Sequence, residues 1–149
     1  MKELAKEVFS INNKQDFDKV ALSVFQYQVE HCTVYGDYIS NLGIDPVKIV
    51  KVDQIPFLPI AFFKSHQVLS DHVNQSEITF SSSGTTGMAT SKHLVTDVSI
   101  YEQSFRQAFE IFYGPASEIC ILALLPSYLE RDGSSLIYMI DALIKDSGH

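Results

Sequence analysis

The sequence predicts an α/β fold in which helices lead into a partial mixed or parallel sheet with flanking helices. Three observations predict it. Before about Gln75, apolar residues recur at three- and four-residue steps, the period of a buried helix face. After it, β-branched and aromatic runs alternate with amphipathic helical stretches, the order of an α/β chain. The run Ile119–Leu125 is apolar throughout, short, and ended by Pro126. That is the pattern of a strand covered on both faces, as in a parallel sheet.

Each element follows from local chemistry. Asn13 can cap a helix, and Asp16 at its third position suits the positive end of the dipole. Phe17, Val20, Ala21, Val24 and Phe25 then form one face. A shorter helix is predicted over Tyr35–Leu42, ended by Gly43, which enters the left-handed cap conformation without a steric penalty. Asp45-Pro46 confirms the stop. Ile55–Ile60 holds two prolines and cannot be a helix interior. Ala61–Leu69 fits a strand or a short helical turn equally well. Ile78-Thr79-Phe80 and Lys92–Thr96 read as strands. A helix runs from Thr96 or Asp97 to Tyr113, with Tyr101, Phe105, Ala108, Phe109 and Phe112 as its core stripe and Gly114-Pro115 as its stop. Asp132-Gly133 is a turn. Ser134 or Ser135 caps a last helix with Leu136, Met139, Ile140, Leu143 and Ile144 at helical spacing.

These elements make residues 1–149 a single domain, with a helical, proline-punctuated region over 1–75 and a strand, loop and helix region over 76–149. A strand–helix–strand–helix series wants a further parallel strand beside it. The domain therefore reads as incomplete, the N-terminal part of a longer polypeptide.

Composition narrows the function classes. Lys+Arg is 11 against Asp+Glu 18, a net charge of −7, which argues against nucleic acid or anionic lipid as a partner. The longest apolar run, Ile119–Leu125, falls far short of the roughly 20 residues of a membrane span. Lys2, Glu3, Lys6 and Glu7 stand where a signal peptide is apolar. Cys32 and Cys120 are far apart and form no CxxC pair, so both read as free buried thiols in a cytoplasmic protein. The histidines and cysteines show no zinc-ligand spacing, and no metal site is expected.

The chemistry concentrates in Ser81-Ser82-Ser83-Gly84-Thr85-Thr86-Gly87, directly after a strand. Five hydroxyls and two glycines give many donors and little bulk. Gly84 and Gly87 let consecutive N–H groups converge on an anion, and the hydroxyls rotate to fit phosphate oxygens. Lys92 can bring its ammonium to the same anion. The loop is neither a Walker A motif, which needs Gly-Lys-Ser/Thr, nor a dinucleotide fingerprint. On composition alone a plain flexible turn fits as well.

The string TFSSSGTTG followed by SKHLVTD resembles the phosphate-binding loop of the adenylate-forming superfamily, the acyl- and aryl-CoA ligases. Within it, IPFLPIAFFKSHQV, the loop with Ser91-Lys92-His93, YEQSF, and LALLPSYLERDGSSLIYM together resemble the acyl-protein synthetases of the bacterial fatty-acid reductase system. The resemblance implies the N-terminal portion of an adenylate-forming ligase fold. It implies ATP and magnesium, a fatty or other carboxylic acid activated as acyl-AMP, transfer to a thiol, and a fatty-acid reductase as partner. It places the phosphate cradle on Ser82, Ser83, Gly84, Thr85, Thr86 and Gly87, with Lys92 as cationic partner. His66, Tyr128 and Arg131 are candidates for the acyl pocket. For His66 the alternative is a partly buried, hydrogen-bonded histidine. For Tyr128 and Arg131 it is a helix-entry turn with a surface Glu130/Arg131 pair.

The sequence also departs from the superfamily. Met88-Ala89-Thr90-Ser91 stands before Lys92 where many relatives place Pro-Lys soon after the last glycine. The later motifs for adenine, magnesium, ribose and the adenylation lysine are absent, and neither cysteine matches the acyl acceptor. No catalytic residue is assigned, and the chain by itself is expected to be inactive. Two other functions remain open: part of an aryl- or acyl-CoA ligase, or a non-catalytic module binding an anion or a partner.

Overall fold

In the computed structural model, residues 2–70, 76–82, 90–124 and 133–148 are described. The chain divides into two units, Met1–Asn74 and Gln75–His149.

The first unit is helical. Helix α1 spans Lys2–Phe9, a helix the apolar periodicity did not single out. Helix α2 spans Lys14–His31. Its start is fixed reciprocally: the Asp16 N–H donates to Asn13 Oδ1 at 2.9 Å, and Asn13 Nδ2 donates to the Asp16 carboxylate at 2.8 Å. Helix α3 spans Thr33–Asn41 and begins two residues earlier than predicted. Cys32, in extended conformation, closes α2 and opens α3, so one residue turns the chain. The two helices then approach closely. A Cβ on Gly36 would lie 2.8 Å from the Val29 carbonyl oxygen, so only glycine fits there.

Phe25, Cys32, Tyr35 and Ile39 form the core of this unit, with Val29, Tyr38, Ile49, Ile55 and Leu58 packed around them. The proline-punctuated segment is held by donors from the helices. Gln26 Nε2 reaches the Pro46 carbonyl at 3.0 Å, and Tyr35 Oη reaches the Pro56 carbonyl at 2.6 Å. The Pro46 carbonyl also accepts the Ile49 N–H at 3.1 Å, so Gln26 adds a second donor to it. The undecided Ala61–Leu69 stretch contains a single helical turn, α4, over Phe62–Ser65.

Burial, and secondarily the neighbouring Tyr38, pushes the Tyr35 hydroxyl up to about 12. The folded state therefore holds the Tyr35 proton more tightly than the unfolded chain, whose tyrosine ionises near 10. The stability this contributes is complete below pH about 10 and is lost as pH rises towards about 12. Chemical denaturation across that range is expected to show an alkaline loss of stability that Tyr35→Phe reduces.

In the second unit, β1 (Ile78–Ser81) pairs antiparallel with β2 (Lys92–Val95), Ile78 opposite Val95 and Ser81 opposite Lys92. Helix α5 spans Val98–Tyr113 and α6 spans Ser135–Ser147. Asp97 caps α5 by accepting from the Ser99 N–H, while the Glu77 carboxylate accepts the Val98 N–H at 2.8 Å. Ser134 caps α6. Phe80 is buried against Tyr101 and Tyr138, with ring centroids 5.2 and 5.7 Å away, and Phe105 packs beyond Tyr101.

Several expectations are corrected. The pairing among the described residues is antiparallel, so the parallel sheet is not observed. The Ile119–Leu125 run is no strand over residues 119–124, because no described segment supplies a ladder partner; Leu125 lies outside the described residues. Leu122 and Leu124 are fully exposed. Phe17 and Leu136 are half-exposed and Phe112 is largely exposed, at the margins of faces whose centres are Phe25, Ile137 and Phe105. Cys32 is buried as expected, but Cys120 is exposed. No described helix is long and apolar enough to cross a membrane.

Candidate functional site

The hydroxyl- and glycine-rich loop joins β1 to β2, and its base is described. The Ser82 N–H donates to the Ser91 carbonyl at 3.0 Å. The Ser91 N–H donates back to Ser82 Oγ at 3.0 Å. This reciprocal pair continues the ladder one step past Ser81 and Lys92 and closes the loop's mouth. Ser82 is exposed. Lys92 is also exposed and meets no carboxylate among the described residues. A cation and a hydroxyl at the mouth of a loop suit an anion by charge and by donor number. Ser83, Gly84, Thr85, Thr86 and Gly87 lie outside the described residues, as do Tyr128 and Arg131.

His66 belongs to the other unit. It is exposed rather than partly buried, and its ring stacks on Phe62 with centroids 5.0 Å apart. Its Nδ1 lies 2.8 Å from Ser65 Oγ. The Pro-rich approach leaves α4 only one turn long, too short to carry His66 into the core. Among the described residues no group of three or more His, Cys, Asp or Glu side chains converges to hold a metal.

One polar network escaped the sequence reading. Glu102 on α5 accepts from Tyr138 Oη at 2.6 Å and from Arg106 Nη1 at 2.7 Å; Arg106 Nε reaches the Asp146 carboxylate at 2.7 Å. These contacts tie α5 to α6. Spacing alone signals the Glu102–Arg106 pair, four residues apart, but not its partners across 36 and 40 positions. The Tyr138 and Arg106 hydrogen bonds hold the Glu102 carboxyl below the usual carboxylate range. Its lowered folded value means the stabilisation is complete above the ordinary 4.5 and is lost as pH falls through the folded value. Thermal unfolding from neutral pH to about pH 3 is expected to show an acid loss of stability that is smaller in Glu102→Gln.

The family model described as acyl-protein synthetase, LuxE, matches residues 6–131, which include the whole loop and its base. This chain belongs to the LuxE acyl-protein synthetase family. A curated relative, the long-chain-fatty-acid–luciferin-component ligase of Photorhabdus luminescens, is 34% identical over 70 residues. That match covers 47% of this chain and 60% of the relative. No solved structure matches the chain. LuxE membership agrees with the resemblance carried by the loop and its flanking motifs, and it identifies an acyl-protein synthetase, a ligase, as the kind of enzyme to which the chain is homologous.

Proposed function

We propose that this chain carries the nucleotide-phosphate loop of an acyl-protein synthetase that activates a fatty carboxylic acid. The observation that supports it most is the closed loop mouth at Ser82 and Ser91, beside an exposed Lys92, in a chain of the LuxE family. In this reading a carboxylate oxygen of the fatty acid attacks the α-phosphorus of ATP. The bond from that phosphorus to the bridging oxygen breaks, and pyrophosphate leaves with the electron pair. Charge grows on the departing group, and donors fixed beforehand around it lower the barrier. Ser82, Ser83, Gly84, Thr85, Thr86 and Gly87 supply those donors, and Lys92 supplies a positive charge. Magnesium would neutralise phosphate charge when bound; no carboxylate cluster among the described residues is suited to hold it. A thiol sulfur then attacks the acyl carbonyl, and the bond to AMP breaks with AMP leaving on the electron pair and the thiol proton passing to water. The thioester-bound acyl group goes on to a fatty-acid reductase, in the cytoplasm. Neither Cys32 nor Cys120 is assigned as that thiol. Tyr128 and Arg131 stay proposals for the acyl pocket; His66, exposed and stacked on Phe62, stays a separate proposal for contact with substrate.

Thermal shift tests the reading. A non-hydrolysable acyl-adenylate analogue at 100 times its dissociation constant adds about 2.7 kcal/mol to the stability of the bound state. In a protein of this length that raises the melting temperature by several degrees. Mg-ATP is expected to give a smaller shift in the same direction. A shift with inorganic phosphate or sulfate but none with the analogue overturns activation and favours a simple anion-binding module.

A further inference from the structure

We draw no further inference here: the strongest candidate, the apolar surface patch at the end of α5 and in the segment after it, where Ile111, Phe112, Tyr113, Leu122 and Leu124 stand exposed, has no cover among the described residues, and nothing in the structure shows what covers it.

Discussion

Phe25→Ala is expected to cost about 3–5 kcal/mol, read as a drop in the denaturant midpoint of the first unit. Phe25 is 3% exposed and meets Tyr35 edge to face, with centroids 6.1 Å apart and planes at 85°. Cys32 and Ile39, both 1% exposed, complete the cluster. Domains of this kind are stable by about 5–15 kcal/mol, so the loss is a large fraction of the total. Phe17→Ala, on the same helix, supplies the contrast. Phe17 is 49% exposed, and its removal is expected to cost well under half as much. Equal effects at the two positions would mean that Phe25 is not the centre of this core.

The contrast between Phe17 and Phe25 also marks how far the sequence could be read. Helical period selects a face, and it placed both residues on it. It does not locate the centre of that face, which depends on what packs against it. Caps and stops were legible because they are local: Asn13 with Asp16, Asp97, Ser134, and Gly114 all act within a few residues. Residues 119–124 are apolar yet form no strand, because apolar content signals a wish for cover, whereas a strand exists only where a ladder partner is supplied, and no described segment supplies one. The same limit applies to the candidate site. Hydroxyls and glycines mark the loop as a candidate, but the Ser82–Ser91 closure and the Ser81–Gly133 contact join residues 9 and more than 50 positions apart, and no spacing rule reaches them.

Gly84→Val is expected to weaken Mg-ATP by roughly 100-fold or more while leaving the unfolding midpoint of the chain nearly unchanged. In the function proposed above the loop offers donors to a charged phosphate, and hydrogen bonds to charged groups are each worth about 1.5–3 kcal/mol. Losing one or two of them amounts to tenfold steps at about 1.4 kcal/mol each. In that reading valine removes them because its branched Cβ restricts the backbone and adds bulk where a glycine offers bare amides. Stability is spared for a separate reason: the loop is closed at its ends, away from residue 84, by Ser82 with Ser91 and by β1 with β2. Gly43→Val makes the comparison decisive. Gly43 takes φ +67 at the end of α3, so valine there is expected to destabilise the first unit and leave Mg-ATP affinity alone. If Gly84→Val binds Mg-ATP as the wild type does, the stretch from Ser82 to Gly87 is a connector, and acyl activation must be sought elsewhere in the chain.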